Sequence, residues 1–229
     1  MSGDPGGPSP GPAPPAPGTT EPAADLLADR LAGLGSAVAD RLAATLHQLG
    51  AVDRAVYDAV ASASTPLLDV PVRRLSRAAD HSTLWLAIAA ALAVAGGPGG
   101  RRAARRGVAA IGISSGLVNA GVKSLSSRRR PDRERAGVPG ERHVRMPTSA
   151  SFPSGHSASA FAFATAVGRE RPWLGLGLSF LAAGVAYSRV HTGVHYPGDT
   201  VAGALIGAAA GQAVASTLNH RPARVTTAV

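Results

Sequence analysis

TVAGALIGAAAGQAVASTLN, residues 200–219, carries no formally charged side chain along its 20 positions. A helix rising about 1.5 Å per residue needs roughly 17–25 such residues to cross the hydrocarbon core of a bilayer. Gly203, Gly207 and Gly211 recur every fourth residue in it, which lines one helix face with small residues of the kind that allow close helix packing in lipid. Four more uncharged runs precede it: His81–Gly100, Gly107–Val122, Met146–Gly168 (whose beginning reads as a loop) and Pro172–Ser188. So many uncharged runs leave a soluble helical bundle too little polar surface. The pattern predicts an all-α fold, a membrane-embedded bundle of about five spanning helices.

The rest of the chain frames that bundle. At 229 residues there is room for one ordinary domain and a tail. Residues 1–22 are rich in Pro and Gly without apolar periodicity, which predicts a disordered tail, and they lack the pattern of a signal peptide. Residues 23–67 read as an amphipathic helical extension. Its first stripe is Leu27, Leu31, Leu34, Val38, Leu42 and Leu46; a second, after Gly50, is Val52, Val56 and Val60. Such helices suit a membrane surface or a partner helix, and equally the protein's own core. Residues 68–219 form the predicted membrane domain and 220–229 a short basic tail. The absence of cysteine excludes disulfides and thiolate metal sites. A formal charge of +9 fits either membrane-flanking arginines or an anionic partner, while 4% aromatics with no stacking platform argue against nucleic acid. Self-association is left open.

Three short motifs sit at the ends of the uncharged runs: Lys123-SLSSRR-Arg130-Pro131, then Pro153-Ser154-Gly155-His156, then Ser188-Arg189-VHTGV-His195-YPG-Asp199. Successive spans alternate in direction, so all three fall on one membrane face. Ionisable groups gathered there are functional candidates. Arg130 and Arg189 can grip phosphate oxygens bidentately and Lys123 can act as a point charge. Gly155 lets backbone approach an anion, Ser154 can offer a hydroxyl, and with His156 they open a helix whose free N–H groups favour negative charge. Asp199, at or near the start of the last helix, can fix the tautomer of His195 and leave its other nitrogen as a nucleophile. His156 is then free to protonate a leaving alkoxide and later to activate water. Singly, these residues have plainer readings. Arg101, Arg102, Arg105 and Arg106 read as anchors in the loop between the first two spans, Arg128 and Arg129 as a basic apron, His191 as a loop histidine bonded to its neighbours and Asp199 as a helix cap.

Lys-x6-Arg-Pro, Pro-Ser-Gly-His and Ser-Arg-x5-His-x3-Asp, in this order and spacing, resemble the three-part signature of the type 2 phosphatidic acid phosphatase superfamily, over roughly residues 68–218. The resemblance implies His195 as nucleophile, Asp199 as its orienting partner, His156 as general acid, and Lys123, Arg130, Ser154, Gly155 and Arg189 around the phosphate. It implies a multi-pass lipid-phosphate phosphatase of the cell membrane, using no metal or cofactor. Its substrates would be phosphatidate, phosphatidylglycerophosphate, a polyprenyl phosphate or a polyprenyl-phosphoryl-phosphoribose. The chain is also similar to actinobacterial family members that act on the last of these. Membrane members often have six spans where five are counted here. A catalytically silent binder of anionic lipid headgroups would keep Lys123, Arg130 and Arg189 but has no use for His156, His195 and Asp199. A vanadate haloperoxidase shares the pocket but not the membrane spans.

Overall fold

The computed structural model describes residue 11 and residues 23–217. Apart from Gly11, the expected disordered tail lies outside the described residues, as does the basic tail 220–229. The chain divides into two compact units, Met1–Leu49 and Gly50–Val229. Helix α1 is Ala23–Ser62. Gly50, expected to separate two helical stripes, lies inside it, because a lone glycine costs only about 1 kcal/mol against alanine in a helix and does not by itself break one. In the first unit Leu31, Leu34, Val38, Leu42 and Leu46 are exposed.

The second unit is built from helices alone, with no strand among the described residues. After the end of α1 come α2 (Pro66–Ala78), α3 (Thr83–Ala95), α4 (Gly97–Gly116), α5 (Gly155–Gly168), α6 (Pro172–His191) and α7 (Pro197–Thr217). Proline stands at the first position of α2, α6 and α7, where its missing N–H costs nothing. α4 runs on through a π turn and a 3-10 turn to Leu125. Among the described residues three segments are long and apolar enough to cross a membrane, Gly97–Leu125, Pro172–His191 and Pro197–Thr217. The pair Pro66–Ala78 and Asp80–Ala95, bent by 61°, makes a fourth if it counts as one span. α5 has only 14 residues but packs against α4, α6 and α7 together.

The arginines expected in a loop between the first two spans lie within α4 instead, since that helix starts at Gly97. Arg106 is buried, with Nη1 2.8 Å from Glu170 Oε1, so it is an internal ion pair rather than an anchor. The main core lies where α3, α4, α5 and α6 meet, around Trp85, Phe163, Val167, Leu178 and Val185. Trp85 and Phe163 stack at a tilt, 5.7 Å between ring centroids.

The glycine face of α7 packs on α5. A Cβ at Gly203 would collide with Ser154 O, and one at Gly207 with Ala158 O. Backbone therefore touches backbone along this seam, as the four-residue spacing predicts. The seam also brings the N-termini of α5 and α7 side by side, with Ser154 N donating to Asp199 O at 2.9 Å.

Between α2 and α3 the chain turns through Asp80–Ser82 with two consecutive non-glycine residues in the left-handed region, His81 at φ 54° and Ser82 at φ 61°. Such a conformation is disfavoured for residues with a Cβ and is found where surrounding structure holds it.

Candidate active site

Five of the eight motif residues singled out in the sequence share one cavity. Lys123, Arg130, Gly155, His156 and His195 line one cavity of about 360 Å³, joined there by Asn119, Ser115 and Ser159. Lys123 comes from the turn that ends α4, Gly155 and His156 from the first turn of α5, and His195 from the turn before α7. Ser154 and Asp199 stand behind the wall rather than on it. Ser154 is fully buried as the N-cap of α5, its Oγ accepting from Ser157 N at 3.4 Å. Arg189 opens on an adjoining cavity of about 400 Å³, which it shares with Asp80, Arg145 and Thr148. His156 borders both cavities.

His195 is 1% exposed. Its Nδ1 faces Asp199 Oδ2 at 3.5 Å, close enough for strong Coulombic coupling but too far for a full hydrogen bond. Arg130 Nη1 lies 3.2 Å from Nε2, and a guanidinium can only donate. Nε2 is therefore the acceptor and Nδ1 carries the proton that points at Asp199. That tautomer leaves the lone pair on the nitrogen facing the cavity. Burial, reinforced against the pull of Asp199 by Arg130 and Arg189, pushes the His195 pKa down to about 3, so the ring is neutral at physiological pH.

Asp199, in the first turn of α7, is held by three donors. Arg128 Nη1 lies 2.8 Å from Oδ1, while Ser151 Oγ at 2.5 Å and Tyr196 N at 2.9 Å reach Oδ2. Arg128 is thus no apron residue. Its other terminal nitrogen pairs with Asp53 from the end of α1, and its guanidinium lies over the Tyr196 ring, 4.6 Å from the centroid. Asp53 also accepts from Gly198 N at 2.6 Å, capping α7. Arg130 is fixed by peptide oxygens, donating to Val194 O at 2.8 Å, Ser149 O at 3.0 Å and Ala150 O at 3.2 Å. Burial lowers its pKa from the usual guanidinium value.

On the opposite wall His156 Nε2 lies 2.8 Å from Asp80 Oδ1, and Arg189 Nη1 is 3.6 Å from the same oxygen. Arg189 Nη1 donates to Ser76 Oγ at 2.7 Å, while its Nε is buried without a hydrogen-bond partner. His191 lies at the end of α6 rather than in a loop, and is bonded to neighbours as its plain reading expects. It faces Tyr187 OH at 3.3 Å and Asp69 at 3.2 Å, and Asp69 is clamped in turn by the buried Arg142 at 2.8 Å.

The comparisons with known proteins fall on this constellation. A family model for the PAP2 superfamily matches residues 106–222. The chain belongs to the PAP2 superfamily. Two curated relatives are each named decaprenylphosphoryl-5-phosphoribose phosphatase. The one from Mycobacterium tuberculosis is 36% identical over 166 residues, 71% of this chain and 88% of the relative. The one from Mycolicibacterium smegmatis is 35% identical over 150 residues, 62% of this chain and 75% of the relative. Among solved structures, Aquifex aeolicus LpxE superposes with a TM-score of 0.57 at 25% identity, covering 70% of this chain and 93% of that one. With its apolar helices, this PAP2 chain is a multi-pass membrane protein.

Sequence reasoning missed Asp53, Asp80, Arg128 and Ser151. For Asp80 a signal exists: it is the one formally charged residue between Arg77 and Arg101. A lone carboxylate there needs a cationic or hydrogen-bonding partner. Asp53 and Asp80 both lie before the residues that the PAP2 family model matches.

Proposed function

We propose that this PAP2 protein is a lipid-phosphate phosphatase of the cell membrane that works through a phosphohistidine on His195. The observation that carries the reading is the tautomer of His195: Nδ1–H aimed at a buried, triply held carboxylate, and an Nε2 lone pair on the cavity side, where it accepts from the phosphate-binding Arg130 until a phosphate takes that donor.

In the first step Nε2 attacks phosphorus while Lys123 and Arg130, with Arg189 acting from the adjoining cavity, neutralise the charge on the phosphoryl oxygens. The free N–H groups opening α5, at Gly155 and His156, add the field of a helix N-terminus. Ser154 sets this loop in place by capping α5. The P–O bond to the leaving group breaks as His156 gives its proton to the departing oxygen. His195 becomes cationic as its bond to phosphorus forms, and Asp199 stabilises it. In the second step neutral His156 takes a proton from water, the hydroxide attacks phosphorus, and the P–N bond breaks to return His195 and inorganic phosphate.

The substrate we favour is a polyprenyl-phosphoryl-phosphoribose, because the two relatives at 35% and 36% identity carry that activity in their names. The test is phosphate release by detergent-purified protein from phosphatidate, phosphatidylglycerophosphate, polyprenyl mono- and diphosphates and polyprenyl-phosphoryl-phosphoribose, in EDTA. We expect release, preferentially from the last, and none from His195→Ala. Lipid binding without release from any of them would leave the silent headgroup binder. Vanadate-dependent halide oxidation would point to the haloperoxidase.

A further inference from the structure

We propose that the cavity beyond His156, walled by Asp80, His81, Arg145 and Thr148, binds a leaving group that carries hydroxyls, and that Asp80 selects it. The proposal rests on the phosphatase reading and adds the part of the substrate that this fold recognises.

The two adjoining cavities divide the reaction between them. His195 borders only the first, Asp80 and Arg189 only the second, and His156 both. An in-line displacement puts the leaving oxygen opposite the nucleophile. Whatever is attached to that oxygen therefore extends past His156 into the second cavity. There it meets the polar side chains of Asp80, Arg145 and Thr148, set beside the apolar atoms of Met146 and Pro147.

The chemistry of those walls is specific. A carboxylate can only accept hydrogen bonds, and it repels phosphate and carbonyl oxygens alike. A neutral group rich in O–H donors is its natural ligand. Asp80 Oδ1 already serves His156 and lies near Arg189, while Oδ2 has no hydrogen-bond partner among the described residues. The side chain is 40% exposed, so that oxygen is accessible to a ligand. The left-handed turn at His81 and Ser82 places the carboxylate here, and both residues line the catalytic cavity as well. Such strained residues cluster at active sites and ligand clamps.

Asp80 also covers the nitrogen of His156 that must reach the leaving oxygen. Hydroxyls of an incoming sugar-like group compete for that carboxylate and draw it from Nε2–H, which is then free to protonate the bridging oxygen. A leaving group without hydroxyls leaves His156 covered. The selection is therefore expected in kcat as well as in KM.

The experiment compares two phosphomonoesters of the same short prenyl-phosphoryl chain, one with the phosphate on a pentose and one with an unhydroxylated five-carbon link in place of the sugar. Wild type should prefer the hydroxylated substrate in kcat/KM by about 10- to 100-fold, the effect of a hydrogen bond to a charged group. Asp80→Asn, checked for folding by its melting curve, should bring that ratio to within a few-fold of one. Thr148→Val, on the exposed rim and safe for folding, should lower it about threefold by removing one hydroxyl. Equal loss on both substrates in Asp80→Asn would make Asp80 a holder of His156 only and overturn the proposal, leaving the phosphatase reading intact. A wild type that shows no preference would overturn it in the same way. Failure of wild type to hydrolyse either substrate would overturn the proposal, and the phosphatase reading would fall with it only if phosphatidate and polyprenyl phosphate were also left intact.

Discussion

The two walls of the active site each pair a histidine with an aspartate, and they do so in opposite manners. Asp199 is fully buried, its oxygens filled by Arg128, Ser151 and the Tyr196 amide. Asp80 is 40% exposed on a left-handed turn, with one oxygen unoccupied. A buried carboxylate fixed by three donors on both its oxygens cannot readily turn, so it holds its histidine at one angle. A carboxylate with spare capacity can exchange partners. The difference matches the work proposed for each histidine. A nucleophile needs a single aim, whereas a group that is first acid and then base must meet two different oxygens in one turnover.

The harshest test of this contrast is to remove the aimed ring itself. His195→Ala should lower kcat on the order of 10,000-fold or more, as loss of a catalytic nucleophile does; phosphate release within tenfold of wild type would end the phosphohistidine reading. Asp199→Asn should cost about 100- to 10,000-fold in kcat with little change in KM, since the tautomer and angle of His195 are lost while the cations remain. If Asp80→Asn proved more damaging than Asp199→Asn on the same substrate, the rigid and adaptable walls would be the wrong way round. Arg128→Gln should fall between wild type and Asp199→Asn, at about tenfold in kcat, because two of the three donors to Asp199 survive. Asp53→Asn should act in the same direction more weakly, and the double variant should fall short of the product of the two, a sign that they act through one contact.

A last test concerns pH and stability rather than rate. The His195 ring, with its pKa pushed down to about 3, stays neutral in the folded protein well below neutrality. Above about pH 6.5 the ring is neutral both folded and unfolded and adds nothing to pH dependence. As pH falls from there towards 3 the unfolded chain takes up a proton that the folded chain refuses, so stability drops, at most about 1.4 kcal/mol per pH unit from this residue. Melting temperatures across that range should therefore fall less steeply in His195→Gln than in wild type. Parallel curves would mean that the buried ring is already charged.

How much of this was readable in advance depends on sequence distance. Lys123, Arg130, Gly155, His156 and His195 were legible because alternating spans force their helix ends onto one face, and the cavity gathers them all. The glycine spacing in α7 announced a close seam because a helix repeats nearly every fourth residue. The partners of His156 and His195 were less legible. Arg128 meets Asp199 across 71 positions and Asp53 across 75, and Asp80 meets His156 across 76. Those meetings are decided by how helices cross and by the left-handed turn after α2, which leave no periodic trace. α4 misled for a simpler reason: arginines suggest a loop, yet Arg106 is accommodated inside the bundle by Glu170.

The seam between α5 and α7 bears on how such a site can diversify. His156 rides on the first helix and His195 immediately precedes the second, so their separation is set by glycine lying on peptide oxygen at Gly203 and Gly207. Any side chain at either glycine would push the two helices apart, so that spacing tolerates no substitution along the seam. A change of substrate that keeps the two histidines at this separation has to come from parts outside the seam, such as the bend between α2 and α3.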